Sequence, residues 1–273
     1  MILSWTGCYD GCLYVLSTKD GAIVAKYQTQ GEIKSKPTID PKTGCIWFGS
    51  YDHHLYCVNV EQLPPVQVFK DHLGASIFAS CIIDADRRRL VVCTTQGLIK
   101  ALDICATTPC PAWNITMGKP VFSTPCLDSN SGDIFVGCMD ANLYRISGID
   151  GKRLWSTNLG GPIFSSPRVW NDSFLIVGSH ANRLIVVEKC TGEIVEKKDT
   201  TSPVFGSVGI DGSNYAYAST DGTLTLIKDG KATELRLDGH VFSSPLLIGT
   251  TIFVGCRNNF LYAIQKKLFR REK

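Results

Sequence analysis

The sequence predicts an all-β protein of the β-propeller class, built from four-stranded blades, and three observations carry that prediction. A small residue recurs at Gly7, Gly49, Cys93, Gly137, Gly178, Ala218 and Gly255, with spacings of 37 to 44 residues, the period of one blade. From each of these positions a turn residue follows three places on and an apolar residue six places on, as in Asp10 and Leu13, Asp52 and Leu55, or Asp140 and Leu143. The segments between are short and rich in β-branched and aromatic residues, such as Ile134-Phe135-Val136 and Leu184-Ile185-Val186-Val187, and none keeps apolar spacing at helical period.

Each repeat then reads in the same order. It opens with an apolar residue and small hydroxyls before a proline, at Pro37, Pro125, Pro167 and Pro245. We read this as the innermost strand: proline has no amide to donate and tolerates a strand edge without a partner. The Phe or Val ahead of the hydroxyls is expected to wedge between blades. A second strand ends at the small residue, a tight turn such as Asp10-Gly11 or Asp221-Gly222 supplies positive φ, and a third strand follows. A further turn, at Asp20-Gly21, Asp150-Gly151, Thr191-Gly192 or Asp229-Gly230, leads to the outer strand. The repeats span about residues 1–30, 31–74, 75–118, 119–160, 161–201, 202–238 and 239–265, one propeller domain over 1–265.

Strand counting finds the first repeat without an inner strand and the last without an outer one. The two gaps do not fill each other, so the reading is a fragment of a longer polypeptide that has lost at least one inner strand and one outer strand, with a whole further blade as the larger alternative. The basic end, Lys266, Lys267, Arg270, Arg271 and Lys273, reads as a solvated tail over 266–273.

Composition narrows the class. With 273 residues, 44% hydrophobic content and a net charge of +3, the chain can bury a large core and carries no footprint for nucleic acid or a membrane surface. No apolar run approaches the roughly 20 residues of a membrane helix, and Met1-Ile2-Leu3-Ser4-Trp5 lacks signal-peptide layout; the expected location is the cytoplasm. Of the twelve cysteines, Cys8, Cys138 and Cys256 follow the strand-ending glycine and Cys93 replaces it. Used this way, cysteine is a small buried apolar residue, expected to stay reduced.

Repeat-equivalent side chains make poor catalysts. The inner-strand serines and the turn aspartates Asp10, Asp52, Asp140 and Asp221 recur, whereas a nucleophile or general acid is needed once. Residues that break the repeat are better leads. His53, His54, His72, Lys119, His180, His240 and Arg257 fall in the turns between second and third strands or in the approaches to inner strands. Those loops open at one end of each blade, giving a mildly basic, histidine-bearing candidate interaction face, with Asn258 and Asn259 beside Arg257. We read Lys34 as standing where other repeats have Phe or Val, and it is expected to meet solvent or a carbonyl.

The unit Ser123-Thr124-Pro125, Val136-Gly137-Cys138-Met139-Asp140, Leu143-Tyr144-Arg145-Ile146 and Gly151-Lys152-Arg153-Leu154-Trp155 resembles the PQQ repeats of quinoprotein-dehydrogenase-like propellers. Among these, Gly7 to Leu16, Thr38 to Gly44, Gly118 to Ser123 and Val241 to Pro245 look most like the propeller of the beta-alanine-activating family of adenylate-forming acyl-CoA synthetases. The resemblance implies adenylation and carrier domains, with ATP and phosphopantetheine bound there and not here, and an intact propeller of about eight blades against the seven represented in this chain. It implies that this propeller is a non-catalytic scaffold whose partners are those missing domains or another protein. No cofactor, metal or catalytic residue is expected in this chain. The alternative is a stand-alone propeller enzyme or sensor holding a quinone, metal or small ligand in its central channel. Against it, no adjacent cysteine pair occurs, and Glu32, Glu61, Glu188, Glu193, Glu196, Glu234 and Glu272 fall in turns or outer strands, poorly placed to ligate a hard cation together.

Overall fold

A computed structural model of the chain describes residues 3–105 and 108–269. It divides into two compact units, residues 1–134 with 147–152 and residues 135–146 with 153–273.

In the first unit the first sheet has three antiparallel strands, Leu3–Gly7, Cys12–Ser17 and Ile23–Gln28. The second has four, Thr38–Ile39, Ile46–Gly49, His54–Asn59 and Val66–His72. The third is Ile82–Asp84, Arg89–Cys93, Leu98–Asp103 and Cys110–Thr116. The fourth sheet, Cys126–Leu127, Ile134–Gly137, Asn142–Ile146 and Arg153–Asn158, belongs partly to each unit.

The second unit continues with Arg168–Trp170, Phe174–Ser179, Arg183–Glu188 and Ile194–Asp199, then Gly209–Asp211, Asn214–Ala218, Thr223–Lys228 and Lys231–Arg236. Its last sheet has three strands, Leu246–Ile248, Thr251–Gly255 and Leu261–Gln265. Every sheet is a meander in chain order, and among the described residues the strand deficits of the first and last repeats are as expected from sequence.

The six-residue offset is the last cross-strand pair of the hairpin between second and third strands: Gly7 opposite Leu13, Gly49 opposite Leu55, Cys93 opposite Ile99, Gly178 opposite Leu184, Ala218 opposite Leu224 and Gly255 opposite Leu261. The aspartate three places on from the small residue both shapes the turn and clamps the strand. In Asp10, Asp52 and Asp140 one carboxylate oxygen accepts the amide two residues on, and the other accepts the hydroxyl of Tyr14, Tyr56 or Tyr144 at 2.6 Å. The spacing Asp-x-x-Leu-Tyr is thereby explained.

In the second to sixth sheets the second and third strands are buried on both faces, and neighbouring sheets share the apolar clusters. Leu13, Val15, Ile33, Phe48 and Tyr56 join the first sheet to the second, and Leu55, Ile77, Leu90 and Val92 the second to the third. Ile176, Leu184, Val204 and Tyr215 form the same layer between the fifth and sixth sheets. Each such side chain contributes about 1.5–3 kcal/mol of transfer free energy.

Two expectations about the opening motif are corrected. The Ser-x-Pro run is not in the inner strand; it forms a segment bent at its first serine immediately before it, and the strand starts after Pro37, Pro125, Pro167 and Pro245. The reason is in its amides, which serve neighbouring repeats instead of a ladder: Lys36 N donates to Ser80 Oγ and Ser80 N to Thr124 Oγ1, while Ser166 N donates to Ser207 Oγ and Ser207 N to Ser244 Oγ. Nor does the aromatic residue form the wedge. The aliphatic residue before it does, and Ile33, Ile77, Val121, Ile163, Val204 and Val241 are all buried.

The outer strands lock repeats together through tryptophan. Trp113 Nε1 donates to Gly148 O at 3.0 Å and Trp155 Nε1 to Lys189 O at 3.1 Å. Gly151 and Gly192, at φ 74° and 80°, turn beneath those indoles. The chain end is also corrected. Lys266–Phe269 forms a 3-10 helix, with Phe269 buried in the cluster of the last two sheets and Lys266 paired to Asp211 at 2.6 Å; residues 270–273 lie outside the described ones. None of the twelve cysteines is in a disulfide, and no helix is long and apolar enough to cross a membrane among the described residues.

Candidate interaction face

In the first unit the histidines that break the repeat pattern follow Asp52, whose carboxylate accepts the amides of Gln30 and His54 and the Tyr56 hydroxyl. His54 pairs across the sheet with His72, their rings 4.8 Å apart, and His53 lies 6.0 Å from His72. His54 Nδ1 is 2.8 Å from Asp52 O. His53 occupies the turn position that needs positive φ: Gly11, Gly97 and Gly222 fill it elsewhere, and His53 adopts φ 71° there. A side chain at this conformation costs about 1–2 kcal/mol, and Ala141, Asn182 and Asn259 hold the equivalent position in other repeats.

Lys34 meets neither bare solvent nor a carbonyl. Its ammonium is 2.6 Å from Glu32, 3.9 Å from the Tyr51 ring centroid and 4.8 Å from that of Tyr9, a cation held between aromatic faces. The Glu32 contact, offset in part by burial, raises its pKa. Lys119 enters through its backbone, since a Cβ on Gly97 would run into its carbonyl oxygen.

In the second unit the residues that stand where Lys34 does form a row. Phe164 stacks on Phe205 at 4.8 Å, and Phe205 meets Phe242 edge-on at 5.3 Å. All three are half-buried. His180 packs on Phe164 at 4.5 Å and lies 6.0 Å from Phe205, and burial lowers its pKa. Arg257 continues the row with its guanidinium 4.1 Å from the Phe242 centroid. Its backbone amide bonds His240 O, and the His240 ring nitrogen Nδ1 lies 2.9 Å from Thr220 O. Asn258 takes the aspartate's part in this turn, bonding Tyr262 and the Phe260 amide, and Asn259 holds φ 69°.

The candidate residues thus fall into two groups, His53, His54 and His72 in the first unit and His180, His240 and Arg257 in the second. The phenylalanine row was not read as part of a face from sequence. Its signal was present, because an aromatic recurs one place after the buried aliphatic, but that recurrence was read as wedging. The arrangement offers stacking surfaces, imidazole donors and a guanidinium, suited to an anionic group on an aromatic or aliphatic arm. Among the described residues, no three His, Cys, Asp or Glu side chains are grouped so as to hold a metal ion.

A family model described as "Beta-alanine-activating enzyme, beta-propeller" matches residues 3–266. The chain is 32% identical over 290 aligned residues to the beta-alanine-activating enzyme of Drosophila melanogaster, which covers 96% of this chain and 28% of that protein. It is 32% identical over 142 residues to the Homo sapiens enzyme, covering 48% of the chain and 13% of the relative. The chain therefore spans little more than a quarter of the fly protein. Among solved structures, the computationally designed Ika8 protein aligns with a TM-score of 0.81 at 12% identity, over 96% of this chain and 80% of that one. The WD40 beta-propeller domain of Doa1 aligns at 0.75 and 14%, over 96% and 88%, and BamB from Moraxella catarrhalis at 0.69 and 14%, over 96% and 93%. At these identities the likeness shows the fold alone, and that fold is the β-propeller.

Proposed function

The chain belongs to the beta-propeller family of the beta-alanine-activating enzyme, and from that premise we propose that it is a non-catalytic docking module of a longer acyl-activating protein. Its partner in this reading is the carrier domain, which presents a phosphate-bearing arm to the His180, Phe205 and Arg257 row. The observation that supports it is the employment of the recurrent polar groups. Turn aspartates hold amides and tyrosine hydroxyls, and inner hydroxyls of Ser80, Ser207 and Ser244 accept amides of the preceding repeat. The residues that depart from the repeat are then the ones left to serve a partner.

Calorimetric titration of the 273-residue chain with a carrier domain bearing phosphopantetheine tests the reading. Saturable binding that weakens with the unmodified carrier, and again with Arg257→Glu, is the expected result. Heats that do not change when the arm is removed, or a metal or quinone titre near one per chain in the purified protein, would overturn it.

A further inference from the structure

One joint recurs between successive repeats. The strand-ending small residue leaves a socket, and the buried aliphatic residue that opens the next repeat enters it. A Cβ added to Gly7 or Gly49 would collide with the side chain of Ile33 or Ile77, and one on Gly178 would lie 2.5 Å from Val204 Cγ1. The incoming residue also donates its amide beyond the socket: Ile33 N to Cys8 O, Ile77 N to Ser50 O, Val121 N to Thr94 O, Ile163 N to Cys138 O and Val241 N to Thr220 O.

Gly255 is the same residue in the last repeat, and no side chain from another repeat enters its socket among the described residues. A Cβ there would meet only Ser243 of its own repeat, at 3.5 Å or more. Among the described hydrogen bonds, Cys256 O accepts only from Asn259, inside its own turn. The cross-strand partner of Gly255, Leu261, is 73% exposed. Its counterparts Leu13, Leu55, Ile99, Leu143, Leu184 and Leu224 are at most 1% exposed. Leu246 and Ile248, each 56% exposed, extend the bare surface along the inner strand.

We infer that the Gly255 socket and the Leu261 face are the seat of a further copy of the Ile/Val-Phe-Ser-x-Pro motif, supplied by polypeptide of the longer protein outside these 273 residues. The occupant follows by elimination. The six motifs inside the chain, opening at Ile33, Ile77, Val121, Ile163, Val204 and Val241, are each already seated on the preceding repeat. A second copy of this chain has the same six engaged. The fly relative is over three times longer than the matched region, which covers 28% of it, so further chain is at hand. This rests only on the chain being one part of a longer protein and is independent of what the His180 and Arg257 row binds, so either can fail alone.

The test appends a copy of residues 160–168, which contain Ile163-Phe164-Ser165-Ser166-Pro167, to the carboxyl terminus of the full chain through a flexible Gly-Ser linker. The tether holds the motif at millimolar effective concentration. Hydrogen exchange of residues 255–261, read by mass spectrometry, is expected to slow on the order of tenfold relative to a tether whose isoleucine is aspartate. Gly255→Val should fill the socket and abolish the slowing, and Leu261→Glu should weaken it. Exchange that does not slow, or that slows equally with the aspartate tether, overturns the inference. So does slowing in the untethered chain that grows with protein concentration, which would make a second copy the occupant.

Discussion

Asp40 grips Arg88 from the neighbouring repeat through two parallel contacts, Oδ1 to Nη1 at 2.6 Å and Oδ2 to Nη2 at 2.7 Å, with both side chains largely buried. Arg88 also donates to Ile104 O at 3.2 Å, so the pair ties a turn of the second repeat to the backbone of the third. The guanidinium holds the Asp40 carboxyl well below the usual carboxylate range, against the opposing effect of burial.

Asp40→Asn leaves Arg88 buried without its counter-charge, and should destabilise the protein by about 3–5 kcal/mol, read as a lower urea midpoint at unchanged slope. Because the folded pKa is depressed, the carboxylate's stabilisation is present above the ordinary aspartate pKa of about 3.9 and is lost as pH falls below it. The variant should lack that portion of the acid transition. An unchanged midpoint would show that the pair contributes nothing net.

Socket glycines should divide sharply. Gly49→Ala pushes a methyl into Ile77 and should cost about 1–3 kcal/mol by overpacking. Gly255→Ala, with only ordinary van der Waals contact to Ser243, should leave the thermal midpoint unaffected or raise it slightly. Equal losses at the two sites would mean that the glycines serve the backbone and not the joint.

His53→Gly should stabilise the isolated chain by about 1 kcal/mol, since the turn holds φ 71° there. Ala141→Gly, at φ 71° in the equivalent turn, should do the same and serves as the control without an imidazole. If His53 belongs to the contact surface, only His53→Gly will also weaken partner binding in the titration.

Tyr144 should resist alkali. Burial and the hydrogen bond to Asp140 push its pKa up to about 12. The contribution is complete below the ordinary tyrosine value of about 10 and is lost as pH rises through about 12, because the folded pKa is the higher one. Difference absorbance between the native chain and Tyr144→Phe should place one tyrosinate step near that upper value; a step near 10 would contradict the clamp.

Much of this architecture was legible because it repeats. The Gly-to-Leu offset, the Asp-x-x-Leu-Tyr spacing and the strand deficits of the end repeats are patterns in one dimension that map directly onto cross-strand pairs. What the pattern hid was direction. It could not say whether Ile163 or Phe164 enters the joint, since both are large and apolar, and only the burial of one and the stacking of the other separate them. Nor does anything in Arg87-Arg88-Arg89 mark the middle residue as the buried one; its role depends on Asp40, far away in sequence. The positive-φ turn position was visible where glycine fills it and invisible at His53 and Ala141, which pay the conformational cost without changing type to glycine.

The tryptophan latches and the hydroxyl-to-amide links named above each join a repeat to the one next in sequence. Stability in such an array behaves as a one-dimensional sum of nearest-neighbour couplings. A repeat that these links couple on one side alone is the first to melt, so local opening should start in the first or the last sheet, and damage in the last should leave the amides of the fifth sheet protected. The same additivity makes the array extensible: one more unit at the Leu261 end adds a whole coupling term without disturbing the others.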